Sequence, residues 1–313
     1  MKTEPLGNTG IRITRLGFGC WQLGGKGWGL KAGDDPLAAV GRALELGINL
    51  FDTAPVYGFG RSEEHLGKAL SGAKDVVIAS KGGLVWDSLK RVAHDNRPAS
   101  LRVQLEGTLK RLRRERLDIF LLHWPDPAVP LAESAGALEV LRDEGKIRAW
   151  GVSNFGAADV LSITSSRLLL EYPVNCIDRY DEEYQCSAKA AVQLLPLAES
   201  RRWGVLAFDS LARGLLGGRP KAGVSFGKRD LRSRDSRYAT DAFRGNLLRA
   251  GKVAAVARSL GVPVPALAIR AVLERPGVTA CIVGMKGPGQ VDENALSLSV
   301  ELPGEARTAL QQL

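Results

Sequence analysis

Short apolar runs rich in β-branched residues recur along this chain, each followed by a longer stretch with helical periodicity, and that alternation admits few folds besides a parallel sheet packed against helices. The candidate strands are LGFGCW (16–21), INLFD (48–52), VVIASK (76–81), DIFLLH (118–123), AWGVS (149–153), VNCI (174–177), GVLAFD (204–209) and ACIVG (280–284). The helical stretches carry their own signals: DPLAAVGRALELG (35–47) opens on Asp35 and Pro36 and stops at Gly47, a cap followed by a terminator. Segments 97–113 and 131–146 behave likewise. Eight strands in 313 residues, with no break in the rhythm, favour a closed (β/α)8 TIM barrel of the α/β class over a doubly wound sheet. A hairpin turning at Asn8-Thr9-Gly10 is expected before the first strand, and about 70 residues between Asp209 and Ala280 form a long insertion between strands seven and eight. No linker divides the chain, so residues 1–313 are expected to form a single domain.

Composition narrows the function classes. With 45% hydrophobic residues the chain has ample core. MKTEPLGNTG has no apolar stretch of the kind a secretory signal needs, and charge or glycine breaks every apolar run before a membrane span is reached. A cytoplasmic protein with no membrane partner is expected. The cysteines (Cys20, Cys176, Cys186 and Cys281) form no C-x-x-C pair, which argues for buried thiols over disulfides or zinc. The formal net charge of +9 raises nucleic acid as a partner. However, the basic residues concentrate in 218–252 and 109–118, with no nucleic-acid motif in either, leaving a solvated face or a site for an anionic cofactor or substrate. Nothing in the pattern fixes an oligomeric state.

Three consecutive predicted strands end in an ionisable residue: Asp52, Lys81 and His123. In a parallel barrel these ends share the rim where active sites are built. Tyr57, in the loop after Asp52, can reach the same rim. Singly, each has an ordinary explanation as a turn cap, a snorkelling lysine, a core histidine or a packed loop aromatic. Together they suit proton transfer to a carbonyl oxygen that is becoming an alkoxide. A phenol with a pKa near 10 needs about 4 kcal/mol of differential stabilisation to titrate near 7, and an ammonium beside it acts in that direction. Asp52 would hold Lys81 charged, Lys81 would lower Tyr57, and His123 would orient the carbonyl.

These residues lie in blocks, GINLFDTAPVYGFGRSEEHLGKAL, VVIASKGGL, LDIFLLHWPDP, EGKIRAWGVSNF and ACIVGMKGPGQVDENAL. The set resembles the aldo-keto reductases, in the bacterial branch that is also similar to the β-subunits of voltage-gated potassium channels. The resemblance implies a barrel binding NADPH, or less often NADH, with Asp52, Tyr57, Lys81 and His123 as a catalytic tetrad. It implies Ser153 and Asn154 on the nicotinamide carboxamide and Phe208 stacked under the ring. Leu211, with the backbone of Ala212, Arg213 and Gly214, is implied along the pyrophosphate. After Gly284, Lys286 is implied at a 2′-phosphate, Gln290 beside the adenine, and Glu293 and Asn294 on its edge. Gly19, Cys20 and Trp21, in the glycine-rich GFGCWQLGG, stand either against the cofactor or in close backbone packing.

Several positions depart from the family pattern: Cys176 stands for the strand-six glutamine, Asp209-Ser210 for Ser-Pro, Gly287 for Ser or Thr, and Gln290 for an arginine. Asp209 in particular would repel a pyrophosphate unless it points elsewhere or pairs with Arg213. Trp21, Trp86 and Trp124, with Tyr57 and His123, are expected to line a substrate pocket; Trp28 is expected in the pocket or in loop packing. The implied activity is reversible NAD(P)H-dependent interconversion of an aldehyde, ketone or sugar-derived carbonyl with its alcohol, NADP(H) being favoured over NAD(H). The competing reading is an NADPH-binding regulatory subunit like the channel β-subunits. A metal-dependent hydrolase is disfavoured, because His65, His94 and His123 offer no H-x-H at a strand end.

Overall fold

In the computed structural model, which describes residues 1–25, 27, 29–163, 168–174, 176, 186–218, 223–228 and 230–311, the apolar runs form a closed parallel barrel. The strands in chain order are β1 (Thr3–Pro5), β2 (Arg12–Thr14), β3 (Leu16–Gly19), β4 (Leu50–Asp52), β5 (Val77–Gly82), β6 (Leu84–Trp86), β7 (Val92–His94), β8 (Leu117–Leu122), β9 (Ile147–Ser153), β10 (Leu169–Pro173), β11 (Gly204–Phe208) and β12 (Ala280–Gly284). The barrel runs β3-β4-β5-β8-β9-β10-β11-β12 and closes through β12 on β3. Trp28 and most of NCIDRYDEEYQ lie outside the described residues.

Successive strand side chains point to opposite faces, and here they sort into two cores. Leu50, Val77, Ala79, Ile119, Leu121, Ala149, Leu169, Leu206, Ala280 and Ile282 form an interior cluster. Their neighbours in sequence, among them Phe51, Ile78, Phe120, Leu170 and Val205, pack in the larger cluster that includes the helices. Stepping two residues onward from the interior positions gives Asp52, Lys81, His123, Glu171, Phe208 and Gly284. The alternation that fills the barrel with aliphatic groups thus also aims its polar residues at the mouth.

The N-terminal hairpin forms as expected, β1 pairing antiparallel with β2. Its Leu6, Ile11 and Ile13 join the interior cluster. Helix Pro36–Glu45 opens with the Asp35 carboxylate accepting from the Leu37 and Ala38 amides at 3.1 and 2.9 Å. Helices Pro98–Leu112 and Leu131–Asp143 form within their expected spans.

Two expectations need correction, and one element was not expected. Strand six is β10, Leu169–Pro173, and not 174–177: a parallel barrel strand is buried on both faces, so the Leu-rich run fits it, and its one charge, Glu171, points inward to Lys81. Strand one ends at Gly19, and Trp21–Gly24 turns into a 3₁₀ helix. The loop after β5 folds into a second hairpin, β6 with β7, whose turn is tied by the Asp87 carboxylate accepting from the Leu89 and Arg91 amides. Among the described residues no single helix is long and apolar enough to cross a membrane; Asp241–Ser259 and Val264–Leu273 reach that composition only as a pair bent by 98°.

Leu6 is fully buried in the interior cluster. Leu6→Ala is expected to lower the unfolding free energy by about 2–5 kcal/mol, read as a lower urea midpoint with an unchanged slope.

Candidate active site

The mouth of the barrel is organised around one buried ion pair. The Lys81 ammonium donates to both Asp52 oxygens, at 2.8 Å to Oδ1 and 2.6 Å to Oδ2, and to the Thr53 carbonyl at 3.1 Å. Lys81 is 1% and Asp52 3% exposed. An isolated charge at such depth would be prohibitive, and pairing with full use of the donors is what makes it tolerable.

Tyr57 reaches this pair through two glycines. A Cβ on Gly58, at φ +68, would strike Gly24, and a Cβ on Gly24 would strike Tyr57 and Gly58. The loop after β4 therefore lies directly on the Trp21–Gly24 turn, and Trp21 stacks on Tyr57 at 5.1 Å between centroids. Lys81 Nζ is 5.5 Å from the Tyr57 ring centroid, and His123 meets that ring edge-on at 5.8 Å. The four residues singled out at the strand ends and the following loop thus converge.

Their electrostatics differ from the expectation in one respect. Loss of solvent around the Tyr57 hydroxyl pushes its phenol above the usual tyrosine range; Lys81 pulls it down only in part, because Asp52 and Glu171 oppose it. Tyr57 is therefore a neutral phenol, not one brought near neutrality. Burial works against the Lys81 charge, but Asp52 and Glu171 outweigh it and keep the ammonium protonated. Burial, then Lys81 and His94, hold His123 well below its usual value, so its ring is neutral.

Glu171 escaped the sequence reading because its strand was misplaced. It lies in register with Ser153 and Leu206, is 3% exposed, and brings Oε2 within 3.4 Å of Lys81 Nζ. Cys176, expected on strand six, instead packs beyond its end with Ala212, Leu215 and Leu216.

Beside this cluster, Ser153 ends β9, and Asn154 follows in a left-handed conformation, φ +64, its amide donating to the His123 carbonyl at 3.1 Å and to Ser153 Oγ at 3.0 Å. Phe208 ends β11 half-buried. Beyond it Asp209, Ala212, Arg213 and Gly214 all take positive φ, the concentrated backbone strain that accompanies functional loops. The Asp209 carboxylate accepts from the Arg213 amide at 2.9 Å and pairs with Arg237 at 2.6 Å. The Arg213 guanidinium pairs with Asp235 at 2.9 Å. Ser210 is buried, and Leu211 is half-buried.

The basic segment is not merely a solvated face. Arg237 is 3% exposed, and Leu231 donates to the Gly27 carbonyl at 2.9 Å, tying this segment to the loop after β3. At the end of β12, Gly284 is exposed, and a side chain there would collide with the Gln22 amide. Gly19 and Cys20 lie buried beside it, the Cys20 amide donating to the Asp52 carbonyl at 2.7 Å. Lys286 is half-buried, 4.0 Å from Asp34, and its amide donates to Gln290 Oε1 at 2.7 Å. Burial, with Arg232 and Lys31, lowers the Lys286 pKa, while Asp34 and Asp230 oppose them. On helix Pro288–Ala295 Glu293 is half-buried and Asn294 is buried.

On the opposite side Trp86 meets Phe59 edge-on at 5.6 Å, an aromatic partner the sequence did not single out. Trp124 is half-buried, its carbonyl accepting from the Asn96 amide at 3.0 Å. Among the described residues no group of His, Cys, Asp and Glu could hold a metal ion.

The model of the aldo/keto reductase family matches residues 15–313. Aldo-keto reductase YhdN of Bacillus subtilis (strain 168) is 36% identical over 298 residues, 93% of this chain and 87% of its own length. The NADH-specific methylglyoxal reductase of Escherichia coli (strain K12) is 31% identical over 338 residues, covering 100% of this chain and 98% of its own. Among solved structures, the glycerol dehydrogenase AKR11B4 from Gluconobacter oxydans superposes with a TM-score of 0.87 at 35% identity, covering 99% of this chain and 94% of that one.

The depressed His123 gives a test independent of turnover. On lowering the pH through about 6.5, the ordinary histidine value, its ring nitrogens are expected to keep neutral-imidazole NMR shifts. The stability associated with the neutral ring is present above that pH and is lost as pH falls toward the depressed folded value. A His123 that protonates near 6.5 would contradict this electrostatic picture.

Proposed function

The chain belongs to the aldo/keto reductase family, and on that premise we propose that it interconverts a small aldehyde or ketone with its alcohol, using Tyr57 as the proton donor and acceptor. Members of the family are nicotinamide-dependent oxidoreductases. The observation that carries the proposal is the Tyr57 ring meeting the His123 ring edge-on at 5.8 Å, with the ammonium of a buried Lys81–Asp52 pair 5.5 Å from its centroid.

The residues of this chain fit a nicotinamide dinucleotide. Ser153 and Asn154 offer hydroxyl and amide groups beside His123. Phe208 offers a half-buried ring, Gly284 lies exposed at the mouth against the Gln22 amide, and Asp209 is neutralised by Arg237. Leu211, Arg213 and Gly214 would follow the pyrophosphate, and Lys286, Gln290, Glu293 and Asn294 the adenosine. When bound, the nicotinamide supplies the hydride. His123, neutral, donates a hydrogen bond to the substrate carbonyl oxygen and orients it. Tyr57 gives its proton to that oxygen as negative charge develops there, and Lys81 stabilises the phenolate left behind. In oxidation the same phenolate takes the proton back. Trp21, Trp86 and Trp124 wall the substrate side. The relatives named for methylglyoxal and glycerol support small oxygenated substrates.

Turnover of an aldehyde panel with NADPH and NADH tests the activity. Tyr57→Phe is expected to cut aldehyde turnover by roughly two to four orders of magnitude, the scale of lost general acid catalysis, with dinucleotide binding nearly unchanged. Unchanged turnover would remove Tyr57 from the chemistry.

NADPH is the favoured cofactor in this proposal, supported by Lys286 with Arg232 and Lys31 nearby; NADH remains an alternative substrate, as in the E. coli relative's name. Lys286→Ala removes a charge-assisted contact worth about 1.5–3 kcal/mol. NADPH affinity is then expected to fall by roughly one to two decades and NADH affinity hardly at all, measured by fluorescence titration. An equal loss for both would assign Lys286 to the shared part of the nucleotide or to the fold.

A further inference from the structure

We propose that Glu171 is a positioning residue that acts through Lys81: holding a proton it leaves the ammonium free to strengthen Tyr57 as an acid, and on losing that proton it weakens Tyr57. The inference rests on the reading of Tyr57 as proton donor.

The geometry that carries it is a mismatch of partners. The Lys81 ammonium is held closely by Asp52, at 2.8 and 2.6 Å, and by the Thr53 carbonyl at 3.1 Å. Glu171 nevertheless places Oε2 3.4 Å from the same nitrogen, and that oxygen is buried with no hydrogen-bond partner. Two carboxylates therefore share one ammonium at depth. If both are ionised the cluster carries a net negative charge away from water; one proton makes it neutral.

The proton belongs on Glu171, because the ammonium lies 2.8 and 2.6 Å from the Asp52 oxygens and only 3.4 Å from the nearest Glu171 oxygen. Burial, and then the Asp52 charge, push the Glu171 carboxyl up to about 8, with Lys81 opposing. It exchanges with solvent and takes no part in the bond changes at the substrate.

Among the described residues the groups that face Glu171 are these. Asp52 comes from β4, Lys81 from β5, and Tyr57 from the loop after β4. In register on the flanking strands stand Ser153 and Leu206, neither titratable near neutrality. On its own strand Tyr172 faces the other way, donating to the Phe155 carbonyl at 2.8 Å. His123 and Cys20 couple to the cluster through Lys81 and, for Cys20, also through Asp52; burial first holds the imidazole neutral and the thiol protonated.

The sign follows directly. Ionised Glu171 raises the Tyr57 phenol and protonated Glu171 does not, so reduction by a neutral phenol slows as pH rises through about 8. Oxidation, which needs the phenolate, is delayed to higher pH by the same charge.

The test is the pH dependence of kcat in both directions for wild type and Glu171→Gln, with thermal melts as the folding control. Glu171→Gln is expected to move the alkaline limb of reduction up, and the acid limb of oxidation down, each by about one pH unit or more. A role in packing alone would scale both profiles without moving them; limbs that stay in place overturn the inference. Infrared difference spectra of the wild type need no variant. They should show a protonated-carboxyl C=O band lost between pH 7 and about 9, around the Glu171 value; its absence also overturns the inference. Tyr57→Phe separates the two readings. If it abolishes turnover while Glu171→Gln moves neither limb, only the role of Glu171 falls; if Tyr57→Phe stays active, the donor assignment falls and takes this inference with it.

Discussion

The buried Lys81–Asp52 pair is the constraint around which the rest of the mouth is arranged. A charge taken out of water at this depth is tolerable only when it is paired and its donors are used, and Lys81 meets both conditions with Asp52 and Thr53. That demand fixes neighbouring strands in register, since β4 pairs directly with β5. Below the pair lies an aliphatic interior cluster, from Leu50 and Ala79 down to the hairpin residues Leu6, Ile11 and Ile13. The apolar cluster thus lies beneath the mouth, and the buried charges lie in the layer above it, where water is scarce and each charge acts strongly.

Scarcity of water also decides what Tyr57 can do. The same depth that strengthens the field of Lys81 raises the cost of a phenolate, and here the cost prevails. A neutral phenol is the form that donates, so in the proposed role of Tyr57 these electrostatics would suit carbonyl reduction, and the reverse would call for alkaline conditions. In that role the ammonium would act on the charge that appears as the proton leaves, a contribution realised in the transition state rather than in the ground state.

Much of this was legible in the sequence because it follows from period and position. The βα rhythm gave the barrel, and the strand ends gave Asp52, Lys81 and His123, since period-two alternation carries the interior face up to the rim. Strand six was not legible: LLLEYP lacks the β-branched signature and holds a glutamate, so VNCI looked more strand-like, and with that error Glu171 was lost and Cys176 gained. The state of Tyr57 was hidden for a related reason. A lysine nearby can be inferred from spacing, but a second carboxylate opposing it requires the three-dimensional register. Asp209 was foreseen as a difficulty, and Arg213 does donate its amide to it. Its charged partner, Arg237, sits in a distant basic segment whose turns carry no periodic signal.

Those arginines bear on how a dinucleotide could be chosen as well as held. Asp209 is paired with Arg237, and Arg213 with Asp235, so the strained loop offers backbone and partial charge rather than free ions. The far end is different: Lys286, Arg232 and Lys31 stand with Asp34 and Asp230. Specificity is a difference of two affinities. A lysine alone would favour the additional phosphate of NADPH, whereas an aspartate 4.0 Å from it already satisfies part of its charge and would resist a second anion. On the proposed reading, such a mixture would narrow the gap between the two cofactors without weakening the contacts they share, and cofactor choice would turn on the balance between Asp34 and Lys286 rather than on either residue alone.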